Sequence, residues 1–172
     1  PKNAGTSIET YFANGSVRIQ PSKHADIYEI KRKFKNSYNN YKKFTIIRNP
    51  YDKMVSWYFY LKRNLGENYN VIEFNEWIKD PSKFWHANDP ISYLKPQREW
   101  IDDTVKIIKF ENINKELSSF FNKKVNLPIT NKSNRNHYLE YYNKESLNMV
   151  YERYKEDFEK FNYKKLWRII YT

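Results

Sequence analysis

The segment that most restricts this chain is a strand that ends and a helix that begins at once, between Phe44 and Lys62. Phe44 to Ile47 is a short apolar, β-branched run, the pattern of a buried parallel strand. Asn49 is a good N-cap, and Pro50 fits the first helical position, where its missing N–H costs nothing. Asp52 falls in the first turn, where the helix dipole favours a carboxylate. Val55, Tyr58, Phe59 and Lys62 continue one face, and Trp57 and Tyr60 add a second, aromatic one. Arg48 therefore projects from the carboxyl end of a strand, and Ser56 lies about two turns into the helix. A strand end beside a helix N-terminus is where α/β proteins bind anions.

Charge agrees with an anionic partner. The 172 residues carry 31 Lys and Arg against 20 Asp and Glu, a net charge of +11. That excess suits a nucleotide, a sulfated or phosphorylated substrate, nucleic acid or an anionic membrane. The basic residues are scattered, which disfavours a generic nucleic-acid stripe. Cysteine is absent, so disulfide frameworks and thiolate chemistry are excluded. The length suggests a single domain, 1–172, with one core. Aromatic residues make up 19%, so that core is expected to be ring-rich. No transmembrane span or signal peptide is evident. The expectation is a soluble domain, cytoplasmic, or Golgi-lumenal if the sequence is a fragment of a eukaryotic protein.

Before the central segment, residues 1–9 read Pro-Lys-Asn-Ala-Gly-Thr-Ser-Ile-Glu. Gly5 allows close backbone approach, Thr6 or Ser7 can open a helix, and Ile8, Tyr11 and Phe12 have helical spacing. This is a phosphate-cradle pattern or a plain N-terminal turn. It is not a Walker A loop, because Lys2 precedes the glycine. Ser16 to Gln20 alternates like a short strand, Pro21 to His24 is a loop, and Ala25 to Phe34 is predicted helical. His24 thus falls at a second strand–helix junction. Asn36 to Lys43 reads as a polar loop.

After the central helix, Val71 to Lys79 is predicted as a short helix and Asp80 to Pro90 as a loop. The stretch from Ile91 to Trp100, with Gln97 and Arg98, is placed along an acceptor cleft. Thr104 to Phe110 is a second strand, Asn114 to Phe121 a helix, and Val125 to Ile129 extended. Asn131 to Asn136 is a basic loop. Lys144 to Phe161 is a long amphipathic helix. Strands followed by helices predict an α/β, P-loop-like three-layer fold, with a short, mostly parallel central sheet flanked by helices. The strand that should precede the first loop is missing from the sequence: either it lies upstream or the architecture is reduced.

Two stretches together resemble sulfotransferases that use 3′-phosphoadenosine-5′-phosphosulfate (PAPS). Residues 1–8 are similar to the 5′-phosphosulfate loop of the carbohydrate-type, family 2-like group, Pro-Lys-x-Ala/Gly-Gly-Thr-Ser. Residues 48–58, Arg-Asn-Pro-Tyr-Asp-Lys-Met-Val-Ser-Trp-Tyr, are similar to the 3′-phosphate motif, whose Arg and Ser stand eight positions apart, as Arg48 and Ser56 do. Phe-Glu-Asn at 110–112 and the Tyr-rich closing helix also look like family features. The resemblance implies transfer of a sulfuryl group from PAPS to an acceptor hydroxyl, with a carbohydrate as the expected acceptor, leaving adenosine 3′,5′-bisphosphate (PAP). It implies that Lys2, Asn3, Ala4, Gly5, Thr6 and Ser7 cradle the 5′ end and that Arg48 and Ser56 hold the 3′-phosphate. Lys132 and Arg135 would close over that phosphate. His24 is the expected base and Lys2 the group that neutralises the leaving oxygen, with Glu29 as fallback base. Gln97 and Arg98, with His24, would face the acceptor. His86 and His137 are read as structural, and no metal is implied.

Two other functions compete: a small P-loop kinase, and a non-catalytic binder of nucleic acid or sulfated glycan. The missing Gly-Lys-Ser/Thr order counts against the first. The core-like spacing of the aromatics counts against the second. A degenerate sulfotransferase that binds nucleotide without turnover is a further alternative. The acceptor side would suit a sugar, a phenol or a peptide tyrosine.

Overall fold

The computed structural model describes residues 3–13, 25–65, 72–84, 94–130 and 132–167. These form a mixed α/β arrangement, mostly helical, whose described residues hold a two-stranded parallel sheet. They divide into two compact units. The first contains Asn3–Arg48 and Gln97–Lys132, the second Asn49–Pro96 and Ser133–Thr172. Among the described residues, no helix is long and apolar enough to cross a membrane.

The first unit is built on the two predicted strands. β1 (Phe44–Ile47) and β2 (Lys106–Lys109) pair in parallel, with Phe44 opposite Lys106 and Ile47 opposite Lys109. Parallel strands need a long crossover, and here the chain makes its excursion through the second unit between Arg48 and Gln97. α1 (Gly5–Ala13), α2 (Ile27–Phe34) and α5 (Ile113–Phe121) complete the unit. Its core is Ile46, Ile108, Leu117, Val125 and Leu127, with Ile8 and Tyr11 of α1 packed against it. α2 begins where a capping box does: Asp26 accepts from the Tyr28 and Glu29 amides, and Glu29 accepts from the Asp26 N–H at 3.1 Å.

One local expectation needs correction. Asn36 to Lys43 is not simply a loop, because Lys35–Asn40 winds into a 3-10 turn that buries Tyr38. The Tyr38 hydroxyl bonds the Thr104 hydroxyl at 2.8 Å, and Lys43 lies 4.2 Å from its ring centroid. Tertiary partners thus order a run whose local composition is that of a loop. In the 125–129 run, Val125 and Leu127 are buried while Asn126 and Pro128 are exposed, as an extended run requires. Among the described residues, no strand pairs with it. The Ser118 hydroxyl accepts from Val125 N and the Asn114 side chain from Leu127 N, so α5 side chains satisfy its backbone. The proposed Ser16–Gln20 strand lies outside the described residues.

The second unit is helical. α3 (Pro50–Leu65) packs with α4 (Phe74–Trp77) and α6 (Lys144–Lys160) around Tyr51, Met54, Trp57, Tyr58, Leu61, Trp77, Leu147, Val150, Tyr154 and Phe158. α3 is buried nearly all round in its first turns, Lys53 and Ser56 included, so its two predicted faces are parts of one buried surface. Some rings meet edge-on, as Trp57 and Trp77 do at 5.4 Å and 78°, and others are tilted, as Tyr51 and Phe158 are at 4.8 Å and 57°. Buried tyrosine hydroxyls find acceptors: Tyr142 donates to the Tyr51 carbonyl and Tyr58 to the Ile72 carbonyl, each at 2.8 Å. α6 departs from helical geometry at Tyr154 (φ −119°, ψ 21°).

Candidate functional site

The first unit gathers polar groups at the carboxyl end of β1. Lys43 accepts from Lys106 N through its carbonyl, so Lys43, Thr45 and Ile47 turn their backbone groups towards β2. By the same alternation Ile46 and Arg48 present theirs on the opposite edge. Two side-chain amides cover that edge. Asn3 Nδ2 donates to the Ile46 carbonyl at 2.8 Å and to Gln97 Oε1 at 2.9 Å. Gln97 Oε1 also accepts from Arg48 N at 2.9 Å, and Gln97 Nε2 donates to the Arg48 carbonyl at 2.8 Å.

The Arg48 side chain is buried. Its guanidinium carbon lies 4.1 Å from the Phe110 ring centroid. Register explains this neighbour: Ile47 pairs with Lys109, so the residues that follow them, Arg48 and Phe110, leave the sheet together. The sequence marked Phe110 only as part of a strand end.

The loop before α1 turns at Ala4, whose φ is 62°, and Ile8 N donates to the Ala4 carbonyl at 3.1 Å. The left-handed position therefore falls on Ala4 and not on Gly5. A Cβ built on Gly5 would meet nothing within 4 Å among the described residues. Among the described residues, neither backbone angle nor internal packing requires a glycine there, and none of them occupies the space above it. The first amides of α1 have no partner within their own helix, so Gly5, Thr6 and Ser7 offer N–H groups at a helix N-terminus next to that space. The Ser7 and Thr130 hydroxyls are hydrogen-bonded at 3.0 Å, which brings the segment ending in exposed Lys132 to this loop. Asn3 uses both its N–H donors inside the unit, and its Oδ1 is buried without a partner. Its side chain can therefore accept but has no donor left for a phosphate.

The second unit carries its own polar cluster at the start of α3. Asn49 Oδ1 accepts from Tyr51 N at 3.0 Å, the capping bond that the sequence predicts for this position. Arg135 forms a short ion pair with Asp52 at 2.5 Å, and both side chains are largely buried. Arg135 thus neutralises the carboxylate of the first turn, whereas the sequence places it on a phosphate. Ser56, one turn further on, is buried. Lys53 is buried too, its Nζ 3.3 Å from the Lys95 carbonyl and 5.0 Å from the Tyr154 ring centroid. Desolvation lowers its pKa to about 8, and the buried Asp157 carboxylate opposes that shift. Sequence reading missed Lys53 because the hydrophobic pattern around it gave a lysine no reason to be inside.

The remaining assignments fall as follows. His24 and Lys2, the expected base and leaving-group cation, lie outside the described residues, as does His86. Gln97 is turned inward, its amide bonded to Arg48 and Asn3, so it braces the strand end instead of lining an acceptor cleft. Arg98 is half-buried, with its NH2 group 3.7 Å from Glu99. Glu29 caps α2. His137 caps the 3-10 turn Tyr138–Tyr141. Among the described residues, no group of three or more His, Asp or Glu side chains could hold a metal.

Chemically, the first unit holds a buried guanidinium and the N-terminus of α1, two groups that favour anions. No protein-family model, curated protein or solved structure matches this chain.

Proposed function

We propose that this chain is a PAPS-dependent sulfotransferase domain of the carbohydrate type. The observation that carries the reading is the pair of bonds from Asn3 to Ile46 and Gln97, which ties the loop resembling the 5′-phosphosulfate motif to the strand end bearing Arg48. The loop residues Asn3 to Ser7 of the first motif and Arg48, which opens the second, thus belong to one compact unit. The residues fit a donor with phosphates at two ends of its ribose. The space over Gly5 and the amides of Gly5, Thr6 and Ser7 suit one anion. The Arg48 guanidinium, held against Phe110, suits another through charge-assisted hydrogen bonds.

When bound, PAPS supplies the sulfuryl group, which passes from the bridging phosphate oxygen to the acceptor oxygen. In this assignment a neutral His24 imidazole nitrogen takes the acceptor hydroxyl's proton, which needs no large pKa shift near pH 7. Lys2 neutralises the charge that grows on the departing oxygen. Asn3 and Gln97 hold the loop and strand, Lys132 closes over the 3′-phosphate, and Arg98 stays on the acceptor side. The P-loop-like three-layer arrangement and the glycan acceptor belong to the same proposal.

Thermal denaturation with PAP, against ATP with Mg²⁺, tests it. PAP at 100 times its dissociation constant should stabilise the folded protein by about 2.7 kcal/mol. Arg48→Ala should abolish most of that shift. His24→Ala should keep it and lose sulfate transfer. A folded sample indifferent to PAP overturns the proposal.

A further inference from the structure

Gln97 stands at the point where the chain re-enters the first unit, 49 positions after the strand end it touches. It is 5% exposed. A primary amide offers two acceptor positions and two N–H donors. Both acceptor positions are filled, one by the Arg48 amide and one by Asn3, and a donor is committed to the Arg48 carbonyl. The two bonds to Arg48 form a cyclic pair like that between a peptide group and a neighbouring strand. They continue β1 for one residue beyond Ile47, on the edge away from β2, where a strand end would otherwise leave polar backbone groups unpaired. The third bond fixes Asn3, and Asn3 in turn holds the Ile46 carbonyl. One side chain thus sets the backbone of the residue offered to one anion and the loop offered to the other.

We propose that Gln97 is a positioning residue that locks the backbone of Arg48 to the loop at Asn3, so that the two anion subsites are aligned by a single amide. This role rests on the sulfotransferase reading. Covering the edge of a strand would need only some polar group there. Joining both backbone atoms of Arg48 to Asn3 needs a side chain with two acceptor positions and a donor at this length. Glutamate supplies the acceptors and lacks the donor. Methionine matches the volume and supplies neither.

The test compares affinity for PAP with affinity for adenosine 5′-phosphate, which lacks the 3′-phosphate, in wild-type protein, Gln97→Met, Gln97→Glu and Arg48→Ala, beside their melting temperatures. Gln97→Met should weaken PAP binding about tenfold and move the preference for PAP towards that of Arg48→Ala. Gln97→Glu should fall between wild type and Gln97→Met. Loss of packing alone would lower the melting temperature and leave the preference of the folded protein unchanged. Wild-type protein that binds no bisphosphate overturns the sulfotransferase reading, and this role with it. Wild-type protein that prefers PAP, with Gln97→Met preferring it equally, overturns the role of Gln97 alone. If Gln97→Met does not fold, an unchanged preference in Gln97→Glu is the overturning result. Failure of both to fold overturns it as well, because the amide would then hold the fold rather than align the subsites.

Discussion

The two units solve burial in different ways. The first closes over a few aliphatic side chains, Ile46, Ile108, Leu117, Val125 and Leu127, and keeps its polar groups at the strand end. The second closes over rings, Tyr51, Trp57, Tyr58, Phe74, Trp77, Tyr142, Tyr154 and Phe158, and buries a lysine and an aspartate with them. β-Branched residues suit a paired sheet, whose backbone bonds are already satisfied. Rings contribute more buried area per side chain, and tyrosine brings a hydroxyl that needs a partner. The second unit therefore contains more internal chemistry that responds to pH, whereas the first presents its polar groups where an anion could meet them.

The largest effect should come from breaking the aromatic core. Trp57→Ala should cost about 3–5 kcal/mol in chemical denaturation, and Leu117→Ala in the aliphatic core about 2–5. A loss at Trp57 clearly below that at Leu117 would mean that the second unit does not depend on its rings.

A smaller effect should appear in the alkaline limb. Lys53 has a folded pKa of about 8 against 10.5 unfolded, so between those values the unfolded chain holds more protons. Stability should then rise with pH across that window, by up to about 3 kcal/mol, with the full penalty present below pH 8. Above about pH 10, the unfolded tyrosines ionise. Burial raises the folded pKa values of Tyr51, Tyr58 and Tyr142, so stability should fall there. Lys53→Met should remove the rise and leave the fall. Urea titrations between pH 7 and 11 measure both, and a rise that survives the substitution would assign it to another group.

The smallest effect belongs to the first unit. Burial pushes the Asp102 carboxyl up, but Lys31, at 2.5 Å, and the hydroxyl and amide of Thr104 outweigh it and hold the pKa at about 2. That contribution is present above the unfolded value of 3.8 and is lost as pH falls towards 2. Because Lys31 is well exposed, Asp102→Asn should cost about 1 kcal/mol near neutral pH, and that cost should vanish once the pH is below the folded pKa of about 2. Equal loss at both pH values would point to packing instead of charge.

Residues 44–62 were legible in the sequence alone, and the helix then runs on to Leu65. Phe44 to Ile47 has the composition of a buried strand, and Asn49 and Pro50 carry the capping chemistry that opens α3, so the strand, the cap bond to Tyr51 N and the helix all follow from neighbours in sequence. α6 was legible for the same reason, since Leu147, Val150, Tyr154 and Phe158 repeat at helical spacing and are buried. The bend at Tyr154 was not, because no proline or glycine marks it.

What the sequence determined by itself was local: strand, caps, helices, and the residue types able to meet an anion at residues 3–7 and at Arg48. The tertiary structure alone decided how distant side chains divide that work. Asn3 joins Gln97 across 94 positions and Arg135 joins Asp52 across 83. The spacing that reveals a helix or strand extends over a few residues only, whereas a hydrogen bond between distant segments depends on how the chain returns. Asn3 and Gln97 were therefore recognisable as polar residues near a possible site. That they form the edge supporting Arg48, and that Arg135 answers Asp52, follows only once the chain has brought their donors and acceptors within 3 Å.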